Sequence, residues 1–226
     1  MESKGKGPRQ PEGILTLHAI IVLAGGQSSR FGCDKALVEF GGKPLLAHII
    51  GKLQDLGDEC IVSIGRNRAP EDYRRILPNN TLVIQDAVDF QGPLAGFMAA
   101  LNECKSDLCF LGACDMPFIE PKIVKYLFSE CTKCSGAVPK WRDGRLEPLH
   151  AVYDCNAARH AAQQVIDQHT WSMIGLVDHL PRIRFVSVEQ EIAPLNPTLN
   201  TFRNLNTPRD LDEIQGGHER LISSRD

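Results

Sequence analysis

Short apolar runs alternate with amphipathic stretches along the first half of this chain. The runs at 19–24 and 108–113 are almost wholly apolar and end in turn residues, and shorter runs lie at 60–64 and 82–84. Runs of this length, bounded by turn residues, are typical of strands that are buried on both faces of a sheet. The pattern therefore predicts four buried strands before residue 114.

Helical stretches separate these strands. Pro44 opens the clearest helix and Gly57 ends it, with the apolar residues of 45–56 on one stripe. Further helices are predicted to begin at Pro70 and at Pro93. Strands that alternate with helices indicate βαβ units and a parallel sheet, so we expect an α/β protein.

The pattern changes beyond residue 135, where strands and helices no longer alternate one by one. The predicted elements are strands at 136–139, 146–153 and 184–188 and helices at 156–168 and 171–179. Thr207 and Asp210 have the spacing of a capping box, which predicts that a last helix begins there.

Length and composition are those of one globular domain. The chain has 226 residues, of which 42% are hydrophobic, and a formal net charge of −3. This length suffices for one α/β domain with a sizeable core. The slight acidic excess argues against a nucleic-acid-binding protein, and no apolar run approaches the ~20 residues that span a bilayer. We expect a cytoplasmic protein that binds neither nucleic acid nor a membrane.

The two ends of the chain and the cysteines add little chemistry. Residues 1–16 are polar and lack the apolar segment of a signal peptide, and residues 216–226 are also polar. We expect two flexible tails around a single domain at 17–215. The eight cysteines include one Cys-x-x-Cys pair without a second, so they are interpreted as reduced, structural thiols rather than a zinc site.

A polar loop follows the first strand and carries the residue types that bind phosphate. Gly25 and Gly26 allow the backbone to approach a ligand closely, and Arg30 and Lys35 supply positive charge. The spacing is neither that of a Walker loop nor that of the dinucleotide fingerprint. The loop is a candidate triphosphate site; the alternative is an ordinary strand-to-helix turn with two solvated basic residues.

Ser63, Asp86 and Asp115 lie where the other predicted strands end. Because ligands of open α/β sheets bind outside the carboxyl ends of the strands, we expect these residues and Gly25 to line one cleft. Asp115 suits Mg²⁺, which takes one or two protein carboxylates together with phosphate oxygens; otherwise it caps the helix near 121 or is a turn residue. Asp86 can accept two hydrogen bonds from the Watson–Crick edge of guanine; otherwise it is a solvated loop residue.

A group of aromatic and basic residues in the second half is a weaker candidate for binding a second, anionic substrate. It comprises Trp141, Arg142, Arg145, His150 and Trp171. Taken singly, the tryptophans are better interpreted as core residues and the arginines as a solvated turn, and only the whole group points to a ligand.

Several of these residues stand in motifs that resemble those of the molybdenum cofactor guanylyltransferases. Residues 23–35 read Leu-Ala-Gly-Gly-x-Ser-x-Arg-x-Gly-x-Asp-Lys, and residues 40–46 read Phe-Gly-Gly-Lys-Pro-Leu-Leu. Later motifs are Cys-Asp-x-Pro at 114–117, Glu-Pro-Leu-x-Ala-x-Tyr at 147–153 and Asn-x-Asn-Thr-Pro at 204–208. The weakest match lies between residues 156 and 200.

The resemblance implies a fold and a reaction. The fold is a Rossmann-like three-layer sandwich with a mostly parallel central sheet, of the nucleotide-diphospho-sugar transferase type. The reaction transfers GMP from GTP to the terminal phosphate of molybdenum-molybdopterin and releases pyrophosphate, with Mg²⁺ as the cofactor. The nucleotide-binding half would be about 17–118 and the acceptor-binding half about 119–215.

The resemblance also implies roles for individual residues. Asn204 and Asn206 would lie near the metal, where related cytidylyltransferases tend to have aspartates. The expected catalytic residues are Arg30, Lys35 and Asp115, with Asp115 as the metal ligand. The expected GTP-binding residues are Leu23, Ala24, Gly25, Gly26, Lys35, Ser63, Asp86 and Asp115.

Two other functions remain open at this point. One is a related nucleotidyltransferase that uses CTP or another phosphorylated acceptor. The other is a non-catalytic protein that delivers the molybdenum cofactor to recipient molybdoenzymes or to other proteins of cofactor biosynthesis. The complete set of Arg30, Lys35, Asp86 and Asp115 argues against the second, because a relic of a nucleotide site would have lost charges.

Overall fold

The computed structural model describes residues 16–25, 33–86 and 92–213. Its strands are β1 (His18–Leu23), β2 (Glu39–Phe40), β3 (Lys43–Pro44), β4 (Glu59–Ile64), β5 (Thr81–Gln85), β6 (Leu108–Ala113), β7 (Gly136–Lys140), β8 (His150–Asp154) and β9 (Ile183–Ser187). Its α-helices are α1 (Leu45–Leu53), α2 (Pro70–Arg74), α3 (Pro93–Glu103), α4 (Pro121–Glu130), α5 (Cys155–Asp167) and α6 (Met173–His179). Shorter 3₁₀ turns lie at Lys35–Leu37, Gln54–Leu56 and Asn200–Phe202, and one π-helical turn lies at Val188–Ile192.

Seven of the strands form one mostly parallel sheet in the order β5-β4-β1-β6-β8-β7-β9. Strands β5, β4, β1 and β6 pair in parallel, as their βαβ connections predict. Strand β8 runs antiparallel to both β6 and β7, and β9 pairs in parallel with β7. The carboxyl ends of β1, β4, β5, β6, β7 and β9 therefore share one edge of the sheet.

The sheet is covered on both faces, which confirms the three-layer α/β fold. Ile20 and Val22 of β1 point into one apolar cluster that includes residues of α1 and α4. Ala19 and Ile21 point into the other cluster, which includes residues of α3, α5 and α6. Successive side chains of a strand point to opposite faces, so a strand buried on both faces must be apolar throughout.

Two local features differ from the sequence prediction. The predicted strand at 146–153 begins only at His150. The residues before it form a turn, in which the His150 N–H donates to the Glu147 carbonyl. Pro148 lies in this turn and has no N–H with which to pair in a sheet. The hairpin of β2 and β3 was not predicted. Its two turn residues, Gly41 and Gly42, have φ values of 59° and 81°, which glycine adopts without strain.

The end of the domain follows the prediction more closely. Thr207 and Asp210 form the predicted capping box: the Asp210 N–H donates to Thr207 Oγ1 at 3.2 Å, and the Thr207 N–H donates to Asp210 Oδ2 at 2.8 Å. Apart from residue 16, the predicted tails lie outside the described residues, and the division into two halves stays a prediction. Among the described helices, none combines the length and apolar character needed to cross a bilayer.

Candidate active site

The loops that follow the four neighbouring strands β5, β4, β1 and β6 line one cleft at the carboxyl edge of the sheet. The Ala24 N–H donates to the Ser63 carbonyl at 2.7 Å, which carries the β1–β4 ladder one residue beyond β1. In the same way, the Cys114 N–H donates to the Leu23 carbonyl at 2.9 Å, and the Asp86 N–H to the Ile64 carbonyl at 2.9 Å. These bonds fix the starting points of the loops that hold Gly25, Asp86 and Asp115.

Gly25 stands where only a residue without a side chain fits. A Cβ atom at this position would lie 2.9 Å from the Gly65 nitrogen and 3.0 Å from Asp86 Oδ2. The loops after β1 and β4 therefore touch through their backbones, and the Asp86 carboxylate lies against them. Sequence reasoning identified Gly25 but missed Gly65, which directly follows β4.

Ser63 and Asp86 form a half-buried pair beneath the start of α3. Ser63 Oγ donates to Asp86 Oδ1 at 2.5 Å, and Ser63 is almost fully buried. Burial raises the pKa of Asp86, and the hydrogen bond from Ser63 opposes that rise. A Cβ atom on Gly96, in the first turns of α3, would lie 3.0 Å from both polar side chains. Asp86 is thus held in place by its neighbours, which contradicts its alternative interpretation as a solvated loop residue.

Lys35 and Asp115 bring two other loops together. Lys35 Nζ lies 3.5 Å from Asp115 Oδ2, and the two side chains are 12% and 28% exposed. Lys35 begins a 3₁₀ turn that is capped by Asp34, whose Oδ1 accepts the Ala36 N–H at 3.1 Å. A largely buried cation of the predicted site therefore lies beside the predicted metal ligand.

Asp34 anchors this turn through a network that sequence reasoning missed. Its Oδ2 accepts a hydrogen bond from the hydroxyl of Tyr73 and forms an ion pair with Arg68 Nη1 at 3.1 Å. Burial and the contact with Asp34 raise the pKa of Tyr73. The one sequence signal was the position of Asp34 directly before Lys35, because nothing in the local pattern marks Tyr73 or Arg68.

The turn that carries Asp115 is held from two sides. The Leu205 N–H donates to the Asp115 carbonyl at 2.7 Å. The Pro117 carbonyl accepts hydrogen bonds from His48 Nε2 at 3.1 Å and from Lys52 Nζ at 3.4 Å, both on α1. The Asp115 carboxylate is thus positioned by hydrogen bonds to two carbonyls of its own turn, those of Asp115 and Pro117.

The structure also removes one alternative for Asp115. Glu120, not Asp115, is the N-cap residue of α4, so Asp115 does not cap that helix. The return segment places Asn204 and Asn206 on either side of Leu205, and both are exposed. They flank the residue that is hydrogen-bonded to the Asp115 carbonyl, and their expected place near a metal stays a prediction.

The carboxylate of Asp115 is a ligand of the type that Mg²⁺ takes from proteins, and Mg²⁺ as the cofactor stays a prediction. The described part of the chain contains no group of three or more His, Cys, Asp and Glu side chains that is placed to hold a metal ion. Mg²⁺ needs no such group, because it keeps several waters and is completed by substrate phosphates. A partly exposed carboxylate such as Asp115 is sufficient as its protein ligand.

The remaining predicted nucleotide-site residues divide into two sets. Leu23 and Ala24 are buried and have apolar side chains, so only their backbones can offer polar contacts. Gly26 and Arg30 lie outside the described residues, and their predicted roles stay predictions.

The structure divides the aromatic and basic group of the second half. Trp141 and Arg145 remain together, with the guanidinium of Arg145 4.6 Å from the centre of the Trp141 ring. His150 is fully buried, and burial lowers its pKa to about 3, so its interpretation as a contact for an anionic substrate was wrong. Trp171 lies elsewhere, with its carbonyl 3.8 Å from where a Cβ on Gly92 would stand, at the start of α3.

Comparisons with known proteins identify the family of this chain. Residues 20–180 match the family model described as the MobA-like NTP transferase domain. A relative named "Probable molybdenum cofactor guanylyltransferase", from Methanosarcina mazei, is 34% identical over 206 residues, which cover 89% of this chain and 91% of the relative.

Solved structures share the fold. That of the molybdopterin-guanine dinucleotide biosynthesis protein A from Archaeoglobus fulgidus superposes with a TM-score of 0.72 at 25% identity, covering 89% of this chain and 99% of the other. That of the 4-diphosphocytidyl-2C-methyl-D-erythritol synthase from Anaerococcus prevotii has a TM-score of 0.65 at 12% identity, covering 87% and 95%, and shows the fold alone. The matched family model and the length of the alignments together show that this chain belongs to the MobA-like NTP transferases and, among them, to the molybdenum cofactor guanylyltransferases.

Proposed function

We propose that this protein transfers GMP from GTP to the terminal phosphate of molybdenum-molybdopterin and releases pyrophosphate. The observation that carries the proposal is the Lys35–Asp115 pair at the carboxyl edge of the sheet, beside the glycine loop that begins at Gly25. A buried cation next to a partly exposed carboxylate suits a metal–triphosphate complex, and the relatives' names supply the substrates.

Lys35 would neutralise charge on the departing pyrophosphate. Its side chain is only 12% exposed, so its attraction to a phosphate is screened less than that of a surface lysine. Arg30 and the amides of Gly25 and Gly26 would share this role. Charge stabilisation of this kind is effective because the donors are already in place when the charge develops.

Asp115 would hold the proposed Mg²⁺. When bound, Mg²⁺ neutralises phosphate charge and makes the α-phosphorus more electrophilic. The turn of Asp115 is fixed by Leu205 on one side and by the Pro117 carbonyl on the other, so the carboxylate is positioned before substrate arrives.

Asp86 would contact the nucleoside of GTP. Its carboxylate is fixed by Ser63 and is partly removed from water, which raises its pKa and makes a hydrogen bond from a base or ribose stronger. An Asp86→Asn variant that loses preference for GTP over CTP would identify the base as the partner. An equal loss with both nucleotides would identify the ribose.

The proposed reaction needs no general base from the protein. The attacking group is a phosphate monoester with a second pKa of about 6, so it is already a dianion near neutral pH. His48 is engaged with the Pro117 carbonyl and serves to hold the turn. Positioning and charge neutralisation would therefore supply the rate enhancement.

The test is pyrophosphate release from purified protein with molybdenum-loaded molybdopterin and, in turn, GTP, CTP and ATP. We expect release with GTP, its loss on chelation, and its return when Mg²⁺ is added. Lys35→Met and Asp115→Asn should each lower kcat/KM by about 100-fold or more, the size seen when one transition-state contact is removed.

Matched controls are Lys125→Met and Asp178→Asn, both at exposed positions outside the cleft, which should react like the unmodified protein. Preference for CTP would assign the chain to the related cytidylyltransferases. Binding of GTP without release of pyrophosphate from any nucleotide would contradict the proposal and favour a delivery protein.

A further inference from the structure

A cavity of about 350 Å³ lies away from the Lys35–Asp115 pair, at the carboxyl ends of β7 and β9. We call it the β7–β9 cavity; its walls include Lys140, Trp141, Arg142, Phe185 and Glu189. Its volume is within the range of cavities that hold small organic ligands. It is also on the same edge of the sheet as the candidate active site.

The register of the two strands explains how these side chains meet. Strands β7 and β9 pair in parallel, with Val138 opposite Phe185 and Lys140 opposite Ser187. Val138, Lys140 and Phe185 therefore point to the same face. Phe185 is 42% exposed, and the ammonium of Lys140 lies 4.9 Å from the centre of its ring. An exposed aromatic face beside a cation is a surface on which a flat heterocyclic ring with hydrogen-bond acceptors can stack.

The charges of the cavity favour an anion. Within the described part of the chain, neither Lys140 nor Arg142 has a carboxylate partner among the hydrogen bonds and ion pairs. Glu189, the acidic group of the wall, accepts the backbone N–H of Arg142 at 3.0 Å, so its carboxylate is occupied by the turn itself. Two cations with free donors remain for a ligand.

The Trp141 ring is held in one orientation in the wall of the β7–β9 cavity before any ligand binds. Its Nε1 donates to Glu147 Oε1 at 2.6 Å, the Arg145 guanidinium covers its ring, and the Phe202 ring meets it at 5.5 Å. A side chain held by three neighbours loses little further freedom on binding, which lowers the entropic cost of recognition.

The same contacts connect the cavity to the candidate active site. Phe202 is followed by the short segment that reaches Leu205, whose N–H donates to the Asp115 carbonyl at 2.7 Å. Strands β6 and β7 are separated by β8 alone, so their carboxyl ends are about 10 Å apart at the usual spacing of strands. A pterin with a phosphate-bearing side chain is long enough to bridge that separation.

We propose that the β7–β9 cavity binds the pterin end of the acceptor, a flat heterocycle with an anionic, phosphate-bearing side chain whose phosphate then reaches Asp115. This inference rests on the proposed function for the identity of the ligand. The ring stacks against Phe185, and Lys140 and Arg142 donate hydrogen bonds to its carbonyl oxygen and ring nitrogens, while their positive charge also attracts the anionic dithiolene beside it. The cavity takes part in binding and leaves the chemical step to the residues around Asp115.

Binding is measured without nucleotide, using a metal-free pterin with a phosphate monoester on its side chain and the fluorescence of that pterin as the readout. We expect Arg142→Gln and Lys140→Gln each to raise Kd about 10-fold, the equivalent of ~1.4 kcal/mol for one charged hydrogen bond. Phe185→Leu should also weaken binding. The control Arg74→Gln, at an exposed position on α2, should leave Kd unchanged. Circular dichroism verifies that each variant is folded.

Tryptophan fluorescence locates the ligand independently. The chain has two tryptophans, so the Trp171→Phe variant reports on Trp141 and the Trp141→Phe variant on Trp171. We expect the pterin phosphate to quench the fluorescence of Trp141 in the Trp171→Phe variant and to leave the fluorescence of Trp171 in the Trp141→Phe variant unchanged. Quenching of Trp171 in place of Trp141 would overturn the proposal, as would unmodified protein that does not bind the probe.

The two proposals fail in different ways. If pterin phosphate binds and the cavity variants weaken it, while no nucleotide supports pyrophosphate release, the reaction is wrong and the cavity assignment stands. If Arg142→Gln and Lys140→Gln bind the probe like unmodified protein, the cavity assignment is wrong whatever the reaction. If these variants weaken GTP binding instead, the cavity belongs to the nucleotide, which also overturns the inference.

Discussion

The side chain of His150 lies fully buried in β8, between the rings of Phe110 and Phe202. Its Nε2 lies 3.3 Å from Thr201 Oγ1, and its Nδ1 has no hydrogen-bond partner in the described structure. Burial lowers its pKa from the usual 6.5 to about 3. Between these two pH values the unfolded chain binds a proton that the folded chain does not.

The free energy of unfolding should therefore fall as the pH is lowered from 6.5 towards 3, by up to ~1.4 kcal/mol per pH unit from this residue alone. Above pH 6.5 His150 makes no such contribution, because it is neutral in both states. In His150→Leu the slope of stability against pH should be shallower by about this amount. Urea unfolding at pH 7.5, 6.0 and 5.0 measures the slope of the unfolding free energy against pH. Stability that the substitution loses through poorer packing is the same at each pH and does not change this slope.

His160→Leu is the matched control, because His160 is exposed on α5. Its slope should stay close to that of the unmodified protein. Equal slopes for His150→Leu and the unmodified protein would show that His150 is not the source of acid sensitivity.

At the level of single residues, the sequence was sufficient to identify those site residues whose charge and position in the loops that follow strands are unusual. Asp86 and Asp115 are acidic residues just after the ends of β5 and β6, and Lys35 is a basic residue in the glycine-containing loop that follows β1. Sequence reasoning could not find Tyr73 or Arg68, because their roles arise only when α2 and the turn before it pack against Asp34. It misjudged His150 because a histidine near a strand end does not by itself show how deeply it is buried.

Among the elements, α1 and α3 each contain a glycine, and the two glycines should respond oppositely to alanine. Gly51 is exposed in α1, and a Cβ there would have no atom within 4 Å. Gly96 is buried in α3, where a Cβ would lie 3.0 Å from both Ser63 Oγ and Asp86 Oδ1. The effect of alanine on stability should therefore depend on helix propensity at Gly51 and on steric crowding at Gly96.

Gly51→Ala should raise the free energy of unfolding by about 1 kcal/mol, since alanine is the better helix former by that amount. Gly96→Ala should lower it by about 1–3 kcal/mol through overpacking and should also weaken GTP binding by displacing Asp86. Denaturant unfolding and GTP titration of both variants test this. Normal GTP affinity in Gly96→Ala would mean that Asp86 does not contribute to the nucleotide site.

The elements themselves were predictable where local pattern decides them. The apolar runs that became β1 and β6 are buried on both faces, so no other element fits them. The start of β8 was not predictable from apolar content, because Pro148 and the turn at His150 override it. Nor could the sequence show that β8 runs antiparallel between β6 and β7, since that order depends on contacts between distant segments.

For the whole molecule, the net charge of −3 contrasts with substrates that are themselves strongly anionic. Under the two proposals above, the protein attracts these substrates through local groups, namely Lys35 for the phosphates in the cleft and Lys140 with Arg142 for the pterin end in the β7–β9 cavity. The same arrangement limits how the reaction depends on pH. Lysine and arginine side chains stay charged through the neutral range, so the acceptor phosphate is the group that titrates there.

We therefore expect kcat/KM for the acceptor to rise with a single ionisation near pH 6, that of the phosphate monoester, and to stay level up to about pH 8. Initial rates at saturating GTP and Mg²⁺, with limiting acceptor, measure this profile. The rise should persist unchanged in His48→Gln, because His48 holds the Pro117 carbonyl and transfers no proton. A second ionisation near neutrality that disappears in a histidine variant would contradict this account, since it would show that the protein supplies a general base after all.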